Sequence, residues 1–267
     1  MKRYAWYSDT HLNLSVFPFL KRMFISRLKK SGVDGVMITG DVSSGSWLES
    51  DLGFLARHFD GPIYFVLGNH DYHNRHIESV HSDVRRLTAK YPNLFWMTEN
   101  PLIALAEDVA LIGTEGWYDA TLGDPKLLKW TLDWMITFDF LHKKGIDQRI
   151  DMWRNMSSIS SEIIAERLEH ALQDHKTVYV MTHFPPWKEA TRAVGTPLEN
   201  FWLPYNTNFA MGQAIERVMS GRKKKRVIVL AGHTHTPCHI RVTNNIECIV
   251  ARASYWGRVR PEQTIIV

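Results

Sequence analysis

Residues 227–235 read Val-Ile-Val-Leu-Ala-Gly-His-Thr-His. The first five are apolar without alternation, the pattern of a strand covered on both faces. The polar remainder opens at a glycine and offers two histidines two positions apart. The same order, apolar strand and then polar cluster, recurs four times upstream. Asp9-Thr10-His11 follows Arg3 to Tyr7, Gly40-Asp41 follows Gly35 to Thr39, Gly68-Asn69-His70-Asp71 follows Ile63 to Leu67, and His183 follows Val178 to Thr182. In an open α/β sheet the carboxyl ends of the strands share one edge, where ligands bind. Residues spread from 9 to 235 are therefore expected to converge.

Within a cluster, residues i and i+2 of extended backbone point to the same side, about 6 to 7 Å apart. Asp9 with His11, and His233 with His235, are expected to aim two side chains into one space in this way. Glycines at 40, 68 and 232 stand directly before candidate ligands, where a chain leaving a strand turns sharply and comes close to the site.

Further strands are expected at Val109 to Ile112, Ile240 to Thr243, Ile246 to Val250 and Thr264 to Val267. Helices are expected at Pro18 to Lys30, Ser46 to His58, Ile77 to Lys90, Pro125 to Lys143, Ser158 to Asp174 and Asn208 to Ser220. This alternation indicates an α/β layered protein, with an antiparallel C-terminal part. Tyr118 to Asn155 stands apart. Its helix is apolar nearly all round, with Leu127, Trp130, Trp134, Phe138 and Leu141 on one stripe and Leu128, Leu132 and Met135 on another. A helix of that kind is buried on two sides, and the segment is open between core, cap over the site and contact with a second subunit in a homo-oligomer.

The 267 residues are 45% hydrophobic and 22% charged, an ordinary globular balance. With 32 basic against 28 acidic residues, the formal charge of +4 is far from that of a dedicated nucleic-acid binder. Thirteen histidines are the stronger lead, because histidine in excess points to metal or acid-base chemistry. Cys238 and Cys248 flank a turn at Asn244-Asn245 that would set Arg241, not Cys238, opposite Cys248. Free thiols in a reducing, cytoplasmic setting are expected. No apolar run approaches the length that spans a bilayer, so no membrane association is expected, and Asp9 and His11 lie where a cleaved leader would be removed.

Taken together, the clusters resemble the signature of the calcineurin-like metallophosphoesterase family: D-x-H, G-D, G-N-H-D/E, H and G-H-x-H, in that order. Every signature position is filled between residues 9 and 235. The resemblance implies a two-sheet αββα sandwich with helices on the outer faces, formed by one domain over 1–267, with 118–155 as a helical insertion. It also implies two adjacent metal ions. Asp9, His11, Asp41 and His235 would hold one; Asp41, Asn69, His183 and His233 would hold the other, with Asp41 as the bridge.

The chemistry of such a set can be argued from the donors alone. Four imidazoles, two carboxylates and one amide oxygen, without thiolate, suit Mn²⁺, Fe or Zn²⁺, or Co²⁺ or Ni²⁺, rather than Ca²⁺. Two ions about 3.5 to 4 Å apart would lower the pKa of a bridging water, giving a hydroxide that attacks phosphorus, and would clamp phosphate oxygens. The leaving alkoxide needs a proton. By the resemblance His70 is the general acid, and Asp71 is expected to orient it.

The expected reaction is hydrolysis of a phosphomonoester or phosphodiester in a small phosphorylated metabolite or nucleotide. Phosphoprotein phosphatases of this superfamily carry Asp-Arg-Gly after the second aspartate and an arginine before Gly-Asn-His. Here Val42-Ser43-Ser44-Gly45 follows Asp41, and Leu67 precedes Gly68. A nuclease is the alternative, and it would need a basic and aromatic groove. Binding of nucleic acid is not favoured, because the basic run Arg222 to Arg226 precedes the strand that ends at His233, about 17 Å or more from the site. A non-catalytic scaffold is a third possibility, although no ligand position is lost. His73 and His76 follow the GNHD loop closely enough to reach substrate, and Trp117 and Tyr118 are candidates for core or pocket.

Overall fold

The computed structural model describes residues 1–14, 18–143, 145–191, 195–253 and 263–267. In chain order the strands and helices of its first half are β1 (Arg3–Tyr7), α1 (Pro18–Lys30), β2 (Gly35–Thr39), α2 (Leu48–His58), β3 (Ile63–Val66), α3 (Ile77–Lys90), β4 (Leu94–Trp96), β5 (Ile103–Ala106) and β6 (Val109–Gly113). There follow α4 (Leu132–Ile136), α5 (Phe138–Leu141), α6 (Ile146–Asp174), β7 (Thr177–Met181), α7 (Glu199–Asn206), α8 (Phe209–Met219), β8 (Arg226–Ala231), β9 (Cys238–Thr243), β10 (Ile246–Val250) and β11 (Gln263–Ile266).

Among the described residues the strands form two sheets, β11-β1-β2-β3-β4 and β5-β6-β7-β8-β10-β9. β1 to β4 run parallel, as do β6, β7, β8 and β10, while β11, β5 and β9 are antiparallel edges. Alternate residues of each strand face two different cores. Tyr4 and Trp6 of β1 meet Leu111, Met181, Ile228 and Leu230 of the second sheet in an apolar layer between the sheets. Ala5 and Tyr7 face outward onto Phe24, Ile25 and Leu28 of α1. On the far side, Val178, Val180, Val227 and Val229 pack against Ile164 and Leu168 of α6 and Ile215 of α8. The result is the four-layer αββα sandwich, and it explains why the central strands lack polar positions.

The expected single helix over Pro125 to Lys143 does not form. A 3-10 turn over Pro125–Trp130 is followed by the short α4 and α5, with extended backbone at Thr131 (φ −79°, ψ 151°) and Thr137 (φ −85°, ψ 119°). Tertiary bonds take the backbone groups that a longer helix would use: Asn74 N donates to Ile136 O at 2.8 Å, and Phe138 N to Arg75 O at 3.2 Å. Phe140, Ile150 and Trp153 are buried against the outer face of the first sheet, whereas Leu132, Met135 and Leu141 are exposed. The side chains of Leu128 and Trp130 lie outside the described residues.

Other differences are local. α6 begins twelve residues before the expected Ser158, and α7 and the short strands β4 and β5 carry too weak a periodicity to be read from sequence. A bulge at Ile246/Glu247 shifts the C-terminal hairpin, so that Ile240 rather than Arg241 lies opposite Cys248, while Cys238 faces Val250. Both cysteines are free. No helix among the described residues is long and apolar enough to cross a membrane.

Candidate metal centre

All seven sequence-predicted ligands meet at the carboxyl edge of the two sheets. They follow β1 (Asp9, His11), β2 (Asp41), β3 (Asn69), β7 (His183) and β8 (His233, His235). The extended i, i+2 geometry expected for the two pairs is not what brings them together. Asp9 (φ 50°), His11 (φ 39°), Asp41 (φ 50°), His233 (φ 67°) and His235 (φ 57°) all occupy left-handed backbone. This conformation is uncommon for residues with a side chain and tends to cluster at functional sites. The chain turns back at each ligand instead of running past it, as in the three-residue turn where Thr234 N donates to Gly232 O around His233.

Backbone bonds lock neighbouring loops together. Asp9 N donates to Gly40 O and His11 N to Asp41 O, both at 3.0 Å. Two glycines permit this approach. Gly40 has φ 88°, and a Cβ there would sit 2.3 Å from His183 Nδ1; a Cβ on Gly68 would sit 2.2 Å from Asp41 Oδ1.

One donor atom from each of Asp9, His11, Asp41 and His235 fits within a group less than 4.8 Å across. His235 Nε2 lies 3.1 Å from Asp9 Oδ1. A second group adjoins it, because Asn69 Oδ1 lies 3.1 Å from both His183 Nε2 and His233 Nδ1. Asp41 stands between them. Its Oδ1 accepts the His70 N–H at 2.9 Å, while its buried Oδ2 accepts no hydrogen bond among the described residues. That oxygen lies 3.5 Å from His183 Nε2, 3.7 Å from His11 Nε2 and 3.9 Å from His70 Nε2. A buried carboxylate oxygen without a donor is costly unless a cation faces it.

The ring contacts fit metal ligation as well. His183 Nδ1 lies 2.9 Å from Thr39 O and His233 Nε2 lies 3.1 Å from Tyr205 O. A carbonyl accepts, so each of those nitrogens carries the hydrogen and the opposite nitrogen is left as a donor to metal. Charge points the same way. Burial lowers the His183 pKa, but Asp41 and Asp9 outweigh it and bring the ring up to about 9. Burial likewise works to raise Asp41, yet His183, His70 and His11 hold it well below the usual carboxylate range. Burial pushes His11 down to about 4 and His233 to about 3. The two buried carboxylates thus require positive charge beside them, a requirement that divalent cations meet.

Asp71 is not positioned to orient His70, contrary to expectation. Its carboxylate accepts the backbone N–H groups of Gly68 (2.9 Å), Ser43 (2.8 Å) and Val42 (3.2 Å), tying the Asp41 loop to the Asn69 loop. Burial and the nearby Asp41 push its carboxyl up to about 8, against the three amides that favour the charged form. His70 instead stands at the mouth of the site, 30% exposed, with its ring 4.8 Å from that of His11 and 4.4 Å from that of His73. Burial draws its pKa below the ordinary value, against the pull of Asp41.

Two supporting residues escaped the motif reading. Asp133 on α4 is fully buried, and its Oδ1 accepts from Asn69 Nδ2 at 2.9 Å and lies 2.7 Å from His73 Nε2. Tyr205 on α7 accepts from the same Asn69 Nδ2 at 3.1 Å through its hydroxyl, and its ring lies 4.6 Å from His233. Asp133 did leave a faint signal, as one of two carboxylates, with Asp139, in the mainly apolar run from Leu132 to Leu141.

None of the remaining candidates lines the cleft over the centre, although His73 borders it behind His70. His73 is buried against Asp133, His76 lies 3.5 Å from Asp139, and Trp117 and Tyr118 are core residues. Arg75 pairs with Asp83, Arg85 with Glu78 and Glu99, and Arg86 with Glu49. Arg226 pairs with Glu247 at the end of β8 opposite His233. A cleft of about 750 Å³ opens over Asp41, His70, His233 and His235, with Leu198, Trp202 and Tyr205 on its wall.

The fold recurs in known structures. The phosphopantetheinyl hydrolase of Mycobacterium tuberculosis superposes with a TM-score of 0.61 at 13% identity, covering 96% of this chain and 92% of that one. A dimetal phosphatase from Danio rerio gives 0.59 at 12% identity, with 95% and 88% covered. GAP50, the anchor in the inner membrane complex of Plasmodium, gives 0.51 at 10% identity, with 95% and 72% covered. At such identities these likenesses speak for the fold alone. No match was found among curated proteins. The family model described as calcineurin-like phosphoesterase matches residues 2–237, from β1 through the paired histidines after β8. On that match the chain belongs to the calcineurin-like phosphoesterase family and is a metal-dependent phosphoric ester hydrolase.

Proposed function

We propose that the protein hydrolyses the phosphoester of a small phosphorylated metabolite or nucleotide at a centre of two divalent metal ions. Asp9, His11, Asp41 and His235 hold one ion, and Asp41, Asn69, His183 and His233 the other. The donor set suits Mn²⁺, Fe or Zn²⁺, with Co²⁺ and Ni²⁺ also compatible. Such ions supply Lewis acidity toward phosphate oxygens and lower the pKa of water. The observation that carries this reading is Asp41 Oδ2, buried between the two groups without a hydrogen bond among the described residues.

The chain's own residues supply the rest. Thr39 and Tyr205 carbonyls keep the second nitrogens of His183 and His233 engaged, so that each ring presents its other nitrogen. Asp133 and Tyr205 take the amide hydrogens of Asn69, leaving its oxygen for the centre. His70, at the cleft mouth, gives its proton to the leaving-group oxygen; a pKa below the ordinary value makes it a stronger acid but a less populated one. Asp71 braces the loops and takes no part in the proton transfer. The segment 118–155 is read as a helical insertion in a single domain over 1–267, and its sending of Asp133 to the centre supports that reading. The free thiols of Cys238 and Cys248 support a reducing, cytoplasmic setting.

The basic residues singled out for the nuclease alternative do not support it, because Arg75, Arg85 and Arg86 are in ion pairs and Arg226 lies at the opposite end of β8. A scaffold role is disfavoured by the complete donor set. Elemental analysis of the purified protein, and a screen of phosphomonoesters, diesters and nucleotides with added Mn²⁺, test the proposal against an Asp41→Asn control. Bound transition metal, with turnover abolished in the control, is expected; absence of metal together with inertness toward every ester would overturn it.

A further inference from the structure

Leu198, Trp202 and Tyr205 follow one another at i, i+4 and i+7, the spacing of a single helix face. An apolar stripe of this kind normally turns into a core. Only its last member does so here. Tyr205 is joined to the metal centre three times, through its hydroxyl to Asn69, its carbonyl to His233 and its ring against the same histidine. Trp202 stands about 4.5 Å further along the axis, and Leu198 lies at the N-terminal cap. They are 39% and 58% exposed, and both line the cleft that holds Asp41, His70, His233 and His235. Phe201 packs edge-on against Trp202 at 4.8 Å and steadies the indole from the side. The cleft therefore has two unlike walls, a cluster of polar ligands and, one helical turn away, an exposed aromatic face.

We propose that this face of α7 is the leaving-group subsite, and that it selects phosphate esters whose alcohol carries a flat ring, such as a nucleobase or an aryl group. The inference rests on the phosphoesterase reading above and narrows its substrate class. With the phosphoryl group at the ligands of the metal centre, the ester's alcohol extends along α7 past Tyr205. A flat ring attached to that alcohol stacks on the indole and buries Leu198, as bases do on exposed aromatic side chains in single-strand binding sites. A short ringless alcohol reaches neither residue.

Adenosine 5′-monophosphate and ribose 5-phosphate test this, because both expel the primary 5-alkoxide of a ribose and only the first carries a flat base, in place of the anomeric hydroxyl. The ratio of their kcat/KM values, measured with Mn²⁺, is expected to favour the ring-bearing ester. That ratio should fall about tenfold in Trp202→Ala and in Trp202→Leu, which keeps apolar bulk without a flat face, and should be retained in Trp202→Phe. Equal use of both esters by the wild-type protein, an equal loss on both in Trp202→Ala, or wild-type behaviour of Trp202→Leu overturns the ring assignment while the phosphoesterase reading stands. If neither these esters nor p-nitrophenyl phosphate nor bis(p-nitrophenyl) phosphate is hydrolysed, and the protein carries no metal, the phosphoesterase reading itself has failed. Calorimetric titration with adenosine 5′-monophosphate then decides the subsite without turnover: binding weakened about tenfold by Trp202→Ala supports it, and unchanged or undetectable binding removes it.

Discussion

Asn69 and Asp133, 64 positions apart in the chain, are joined by a 2.9 Å hydrogen bond from Nδ2 to Oδ1, and Asn69 Oδ1 lies 3.1 Å from both His183 and His233. An amide can present either end to a site. By holding the NH₂ end, Asp133 settles that the oxygen faces the centre.

Asp133→Ala should therefore weaken metal retention by about 10- to 100-fold, the usual cost of losing a group that orients a ligand. Asp133→Asn, whose oxygen can still accept from Asn69 and His73, should retain more metal. Elemental analysis after gel filtration measures both; full metal content in the alanine variant would show that Asn69 needs no such anchor.

Beyond its backbone N–H to Asp41, His70 approaches that carboxylate only at the longer distance of 3.9 Å from Nε2 to Oδ2. His70→Gln should lower kcat about 10²- to 10⁴-fold on an ester with a poor leaving group, and less on a p-nitrophenyl ester, with metal content unchanged. Unchanged turnover of the poor leaving group would remove the general-acid role.

Asp71 has a different signature. Asp71→Ala leaves three buried N–H groups, of Val42, Ser43 and Gly68, without acceptors, a cost of about 3 kcal/mol or more. Tm should fall by on the order of 10 °C. A variant with native Tm and a kinetic defect matching that of His70→Gln would return Asp71 to the orienting role.

The metal-free protein should lose stability toward alkaline pH. Although burial opposes it, Asp41 and Asp9 raise the folded-state pKa of His183 to about 9, from an ordinary 6.5. A proton held more tightly in the folded state stabilises it fully below about pH 6.5, and this contribution disappears as pH rises through about 9. With a cation at His183 Nε2 no proton is carried there, so the Tm difference between metal-loaded and chelator-treated protein should widen over that interval. A difference that stays constant would contradict the assignment of His183 as a ligand.

Much of the site was legible because its residues sit next to strong local signals. An apolar run such as Val227 to Ala231 needs two covered faces, and a glycine followed by histidines at its end has few other uses. The readings that failed depended on more distant neighbours. Pro125 to Lys143 has a helical pattern, yet Asn74 and Arg75 claim the backbone of Ile136 and Phe138 and break it. The i, i+2 argument for Asp9/His11 and His233/His235 named side chains that do converge, but left-handed turns rather than extended backbone direct them. Asp71 adjoins His70 in sequence, but its three amide partners face it elsewhere.

What the sequence determined alone was the layered α/β class and the strand ends at which the seven candidate donors gather. Each of these follows from side-chain type and short spacing, which a linear chain displays. Tertiary structure alone decided which end of Asn69 faces the centre, that Asp133 and Tyr205 hold it there, and that Leu198 and Trp202 line the cleft. Those outcomes depend on hydrogen-bond geometry and burial between residues scores of positions apart, and such proximity exists only after the two sheets have packed.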